Sequence, residues 1–190
     1  MVTPEAASSR REPFLYVIVC ASGVADGVGE LIIAAHAEGW KVGVIATPNA
    51  LGFLDQEAIE AQTGYPIRSA WRTPGGSRPM PEADAIAVVS ATFNTINKWA
   101  LGIADTLALG ILCEAYGLGI PVVVQPYVNS ALAAHPAYSE SLVRLRSMGV
   151  LVGDSVPHQP RSGGARDEYS WTYVLDLLRP TLSSLSEPAA

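Results

Sequence analysis

Charge is scarce in this chain: Asp, Glu, Lys and Arg make up 16% of its 190 residues, and the balance is acidic, at −6. The basic side chains form no cluster beyond Arg10-Arg11, which argues against a nucleic-acid-binding surface. Cysteine is nearly absent: Cys20 and Cys113 each sit inside an apolar run. Two such residues make neither a disulfide framework nor a metal set, and they read as buried thiols of a reducing cytoplasm. The three histidines, His36, His135 and His158, lie too far apart for metal-ligand spacing, so no metal is expected. No apolar run reaches about 18 residues, so no transmembrane helix and no membrane partner are expected. A basic-then-apolar leader is missing from the N-terminus. A full GxGxxG is missing too, which leaves a dinucleotide site weakly supported.

Apolar residues are plentiful, at 49%, with a mean hydropathy of +0.25. At this length one domain buries a sizeable core. The apolar surplus points to subunit faces buried in a homo-oligomer. Residues 1–13 (MVTPEAASSRREP) read as a disordered arm and residues 181–190 as a flexible tail, which leaves 14–180 as a single α/β domain.

Leu15–Cys20 and Lys41–Ala46 are continuous apolar runs of the buried parallel-strand type. Between them Ala21-Ser22-Gly23 turns the chain, and Val24, Val28, Leu31, Ile32 and Ala35 recur at helical spacing up to Gly39. Strand, turn, helix, strand is a βαβ unit. Thr47-Pro48-Asn49 turns into Leu51–Phe53 and a helix near Leu54–Thr63; residues 72–82 (RTPGGSRPMPE) then form a long loop. Further strands are expected at Ala85–Val89, Pro121–Gln125 and Val150–Val152. Helices are expected over Thr106–Gly117, Pro136–Met148 and Tyr169–Leu178, with an irregular loop at 153–168. The pattern is a doubly wound, mostly parallel sheet with helices on both faces, of flavodoxin or Rossmann-like type.

The centre of this pattern is residues 85–107, AIAVVSATFNTINKWALGIADTL. A buried strand ends in the polar turn Ser90-Ala91-Thr92-Phe93-Asn94-Thr95, and a helix follows through Lys98 and Trp99 to Gly102. Hydroxyls and an amide between a strand end and a helix start suit an anionic or polar ligand. Similar polar turns leave the other strands at Ala21-Ser22-Gly23, Thr47-Pro48-Asn49 and Pro126-Tyr127-Val128-Asn129.

Taken together, the four turns resemble those of the flavin-containing cysteine decarboxylases, the family of phosphopantothenoylcysteine decarboxylase and of the peptidyl-cysteine decarboxylases that act on lanthipeptide-type precursors. Ser90–Thr95 looks like the family's Pro-Ala-Ser-Ala-Asn-Thr turn, Gly102-Ile103-Ala104-Asp105 like its Gly-Ile-Ala-Asp helix end, and Pro126–Asn129 like its Pro-x-Met-Asn turn. His135-Pro136 is also in family style, and the likeness covers about residues 14–152. It implies bound FMN, with FAD the alternative, held between subunits of a trimer or of a dodecamer built from trimers in the cytoplasm. It implies Ser22 and Thr47 at the phosphate and ribityl side, and Thr92, Asn94 and Thr95 as the flavin cradle. Ala21, Gly23, Asn49, Phe53, Ser90 and Phe93 complete the cofactor set, and the Tyr127 backbone approaches the ring. Asn94 and Asn129 are the implied catalytic residues, with Asn129 holding the substrate carboxylate.

The implied activity is oxidative decarboxylation of the C-terminal cysteine of a precursor peptide to an aminoenethiol. The alternatives are phosphopantothenoylcysteine decarboxylation in coenzyme A synthesis and a catalytically impaired flavin-binding partner or regulatory subunit. Two departures bear on the choice. The family's histidine before the third strand has no counterpart in Gly75–Pro81, and residues 153–168 hold no counterpart to the cysteine of the coenzyme A enzyme's flap. Of the remaining candidates, His135 reads as a packing residue, His158 as a loop histidine near the site, and Arg78 and Arg161 as exposed loop arginines. The four tryptophans read as packing or interface residues.

Overall fold

The computed structural model describes residues 11–76, 78–161 and 166–186. Strands β1 (Phe14–Val19), β2 (Lys41–Ala46), β3 (Ala85–Ala91), β4 (Val122–Pro126) and β5 (Leu151–Val152) form one parallel sheet in the order β2-β1-β3-β4-β5. Helices are α1 (Val28–Ala37), α2 (Gln56–Thr63), α3 (Phe93–Ala100), α4 (Leu107–Leu118), α5 (Ser130–Ala133), α6 (Pro136–Ser147) and α7 (Tyr173–Ser186). Short 3-10 segments at Ala25–Gly27 and Pro48–Phe53 carry the chain away from β1 and β2.

Successive side chains of a strand point to opposite faces, and both faces are covered, so the central strands are apolar along most of their length, Ser90 of β3 and Gln125 of β4 being the buried polar exceptions. Leu15, Val17 and Val19 of β1 join Val42, Val44, Ala87 and Val89 in a core closed by Leu31, Ile32 and Ala35 of α1 and Val174, Leu175 and Leu178 of α7. Phe14 and Ile18 face the other way, with Ile45, Ile86, Val88 and Val124, onto Ile96 and Trp99 of α3, Leu112 of α4 and Leu145 of α6. On that second face the segment after α2 takes the place of a helix over β2. Arg68 pairs backbone to backbone with β2, and Met80 inserts its thioether where β2 has no side chain, at Gly43.

The structure departs from the sequence expectations in several places, among them the short helix α5, which is absent from the expected elements. β3 continues through Ser90 and Ala91, so α3 follows after a single linking residue, Thr92. Helix α7 starts at Tyr173 rather than Tyr169, and it runs six residues into the expected tail because Leu182 and Leu185 still find the core. Residues 187–190, like 1–10 of the expected arm, lie outside the described residues, whereas Arg11 is tied down by an ion pair to Asp84 at 2.6 Å. Cys113 is half-buried, unlike the fully buried Cys20.

Gly43 and Gly110 separate rigid from yielding contacts. A Cβ at Gly43 would lie 2.4 Å from Met80 Sδ and 2.9 Å from the Phe14 ring, both enclosed. A Cβ at Gly110 would lie 2.3 Å from the Trp71 indole, but Trp71 is 56% exposed on its loop and free to move. Gly43→Ala is therefore expected to cost about 1–3 kcal/mol in urea denaturation. For Gly110→Ala, relief of helical glycine, worth about 1 kcal/mol, should offset most of the clash. Equal losses would contradict this assignment.

Candidate functional site

In an open parallel sheet, ligands bind beyond the C-terminal strand ends where the strand order reverses. Here β1 has β2 on one side and β3 on the other, so the reversal lies between β1 and β3. A groove of about 510 Å³ opens there, walled by Ala21, Ser22 and Gly23 after β1, Thr92, Phe93 and Asn94 after β3, and Tyr127, Val128 and Asn129 after β4. Leu132, His158 and Arg161 complete its rim.

The groove takes its shape from an irregularity in β3. Ser90 is fully buried with φ +47, and the β3–β4 register shifts between Val88 and Ala91. The Ser90 N–H donates to the Tyr169 hydroxyl at 2.6 Å, and the Ser90 Oγ donates to the Cys20 carbonyl at 3.0 Å. The Tyr169 hydroxyl in turn faces the Gln125 carbonyl at 3.4 Å, so one phenol bridges two strands where their ladder is interrupted. Pairing resumes as Tyr127 N–H donates to Ala91 O at 2.9 Å.

Thr92 then caps α3, its hydroxyl accepting from Thr95 N–H at 3.4 Å and lying 3.1 Å from the Thr95 hydroxyl. The first-turn N–H groups of Phe93 and Asn94 have no place in the helix's own i→i−4 ladder, and both residues line the groove at the positive end of α3. Across from them, Asn129 Oδ1 accepts from Leu132 N–H at 2.9 Å, which orients the carboxamide and leaves its NH₂ available as a donor. The Phe93 ring is held by His135 edge-on, with centroids 5.6 Å apart, and by Tyr138, stacked at 6.3 Å. His135 Nδ1 caps α6 by accepting from Ala137 N–H, in keeping with its reading as a packing residue.

Buried groups behind the groove stay neutral. Burial pushes the Cys20 thiol up, opposed by hydrogen bonds to the Thr95 hydroxyl and the Thr92 backbone. Burial likewise pushes the Tyr169 phenol up, opposed by its bond to Ser90. The only fixed charge among the described lining residues is Arg161, on the rim at φ +63.

Eight expected site residues therefore line one groove: Ala21, Ser22, Gly23, Thr92, Phe93, Asn94, Tyr127 and Asn129. Ser90 and Thr95 lie behind its wall, buried and engaged in holding it. Thr47, just before the Pro48–Phe53 segment, and Asn49 and Phe53 on it sit one strand further out, after β2 and outside the lining residues. His158, Arg161 and Tyr169 gain a larger place than the sequence suggested. The segment where a histidine was missed faces elsewhere: Arg78 pairs with Glu82 and lines, with Arg68 and Trp71, a cavity of about 660 Å³ beside α4. A depression of about 820 Å³ over α4 and α6 holds no strand-end residue. Among the described residues, no group of three or more His, Cys, Asp and Glu side chains is placed to hold a metal, and no helix is long and apolar enough to cross a membrane.

Comparison with known proteins gives this groove a family. A family model, Flavoprotein, matches residues 5–179. The chain belongs to the Flavoprotein family. Curated relatives of this flavoprotein are bifunctional coenzyme A biosynthesis proteins, CoaBC. That of Thermococcus kodakarensis is 28% identical over 117 residues, 59% of this chain and 29% of its own length, and that of Escherichia coli 28% over 141 residues, 68% and 34%. The chain thus spans about a third of the length of these relatives. Similar solved structures include a PPC decarboxylase variant complexed with pantothenoylaminoethenethiol, with a TM-score of 0.72 at 21% identity, covering 91% of this chain and all of that one. The FMN-dependent cysteine decarboxylase SpaF also scores 0.72, at 19% identity over 94% of this chain and 99% of its own. EpiD of Staphylococcus aureus scores 0.63, at 23% over 76% and 84%. At these identities the likeness establishes the fold: a five-stranded parallel α/β sheet of the decarboxylase flavoproteins.

Tyr169→Phe tests the bridge behind the groove. It leaves the buried Ser90 N–H without its acceptor, at an expected cost of about 1–3 kcal/mol. The phenol's ordinary pKa of 10.0 is raised in the folded state, so its contribution is complete below pH 10 and lost as pH rises above it. Urea-denaturation stabilities of wild type and variant should differ at neutral pH and converge in alkali; equal stabilities at neutral pH would contradict the bridge, and a difference constant with pH would contradict burial of the phenol.

Proposed function

We propose that the groove binds FMN and serves oxidative decarboxylation of the C-terminal cysteine of a peptide, releasing CO₂ and an aminoenethiol. The observation that carries this is the meeting of the Asn94 turn, with its first-turn amides, and the oriented Asn129 carboxamide in one groove of a Flavoprotein-family chain. The groove fits such a group chemically. It is open, it lies at the strand-order reversal, and it offers hydroxyl and backbone N–H donors suited to phosphate. Ser22 and the amides of Phe93 and Asn94 would hold the flavin, with Thr47, Asn49 and Phe53 completing its surroundings from the neighbouring strand end. When bound, the flavin supplies a two-electron acceptor. The Asn129 NH₂ would hold the substrate carboxylate. A neutral amide orients that group without the strong ground-state stabilisation that an ion pair gives a charge about to leave as CO₂.

The CoaBC relatives equally support phosphopantothenoylcysteine as substrate. Cysteine chemistry favours the peptide: of the two cysteines in the chain, neither Cys20 nor Cys113 lines the groove, which suits a reaction that stops at the enethiol. The exposed apolar side chains Leu101, Tyr116, Leu118 and Val143 favour a homo-oligomer, a trimer or a dodecamer of trimers.

The purified protein is expected to show a flavin spectrum, with FMN rather than FAD released on denaturation. With a cysteine-ended peptide, mass spectrometry should show a loss of about 46 Da, CO₂ plus two hydrogens. Asn129→Ala should lower turnover about 10²-fold. Protein that binds no flavin on reconstitution would overturn the reading, and turnover of phosphopantothenoylcysteine but not of peptides would decide for the second substrate.

A further inference from the structure

We propose that His158 is the catalytic base of the groove, taking the thiol proton of the cysteine substrate at Nε2; this rests on the cysteine decarboxylase reading above. The segment after β5 that carries it is anchored along its length. Gly153 N–H donates to Val124 O at 2.8 Å, and Gln125 Nε2 to Asp154 O at 2.9 Å. His158 then forms a parallel bridge with Asn129: its N–H donates to Val128 O at 3.1 Å, and its carbonyl accepts from Ser130 N–H at 2.8 Å. The histidine is thus fixed beside the residue assigned to the substrate carboxylate.

Its tautomer follows from its own contact. Nδ1 lies 3.1 Å from the Gln159 carbonyl oxygen, which only accepts, so Nδ1 carries the proton and Nε2 keeps its lone pair. The imidazole lies on the Tyr127 ring, with centroids 4.7 Å apart at 32°, a face that stabilises an imidazolium once the proton arrives. Among the described lining residues there is no carboxylate and no other imidazole, and a guanidinium offers no lone pair.

The proton transfer itself balances without further reactants; the two-electron oxidation that must precede loss of CO₂ would draw on the flavin of the proposed function. The substrate S–H bond breaks with its electron pair left on sulfur, and the proton forms the Nε2–H bond while Nδ1–H stays on Gln159 O. After CO₂ leaves, the enethiolate sulfur takes the proton back and resets the base. The Arg161 guanidinium, on the same rim, favours the thiolate at longer range. Arg161 and the Tyr127 phenol are the charged or titratable lining groups facing His158; beyond them, the Asp26–Arg166 ion pair stands behind Gly23.

The test uses flavin-loaded full-length protein with His158→Gln, His158→Ala and, as control, His36→Gln on α1. Both His158 variants are expected to keep the flavin spectrum and to lose turnover about 10²-fold or more, while the control does not. In the His158 variants the rate should climb with pH until the thiol ionises unaided. A second measurement needs no turnover: ¹⁵N-histidine NMR with a peptide ending in cysteine amide, which has no carboxylate to lose, at a concentration at which it perturbs the flavin spectrum. His158 should be the Nδ1–H tautomer alone and imidazolium with peptide. His158 variants that turn over within about three-fold of wild type, or a His158 still neutral with peptide bound, would overturn the assignment. Wild-type protein that carries flavin yet decarboxylates neither substrate would instead overturn the proposed function, and the base with it.

Discussion

The groove depends on one hydrogen-bonded bridge, the Tyr169 hydroxyl between the Ser90 N–H of β3 and the Gln125 carbonyl of β4. A left-handed residue inside a buried parallel strand is unfavourable unless its backbone groups find partners. Tyr169 supplies the partner from a distant part of the chain, and edge-on contacts with Tyr127 and Trp171 fix its ring. The bulge turns the end of β3 so that Thr92 can cap α3 within one residue of the sheet. The first-turn amides of α3, Asn94 and the Phe93 ring all take their places from that turn.

Much of this was legible in the sequence because it is local. Runs such as LYVIVC and AIAVV, bounded by Ser, Gly, Thr and Asn, read as buried strands with polar exits, whereas the order β2-β1-β3-β4-β5 comes from the structure alone. The strand-end turns were legible for the same reason, and three of the four wall the groove. What was not legible is non-local. Ser90 reads as a turn residue by type, yet its N–H partner is 79 residues further along the chain, so the sequence reading stops β3 two residues early. Trp171 has helical spacing with Val174 and Leu178, but it lies before α7 and packs against Gly27, while Tyr169 is held by the bridge.

His158 shows the same limit. A single histidine between prolines gives no periodic signal, and its bridge to Asn129 joins two irregular segments. Its meaning appears only when the segment after β5 is seen to lie against the exit of β4. The stretch upstream of β3, where the resembling family carries its histidine, packs against the sheet instead. Met80 fills the gap at Gly43 and Trp71 lies over Gly110, so the segment replaces a helix on the second face of the sheet.

The two halves of the groove differ in how they are made rigid, and the difference follows from the sheet. The β1 and β3 exits are held by buried bonds from Ser90 and Thr95, where shifting a residue would expose core. The β4 exit and the His158 segment are held by backbone pairs nearer the surface, with Asn129 and His158 only half-buried. A rigid wall suits a group that must stay in place through turnover, since it adds no ordering cost on binding. A wall held by surface backbone bonds opens more readily, because local opening draws on the least buried contacts. The proposed binding on the β1–β3 side and the proposed proton transfer on the β4–His158 side would therefore fall on the parts of the fold whose stability matches each task.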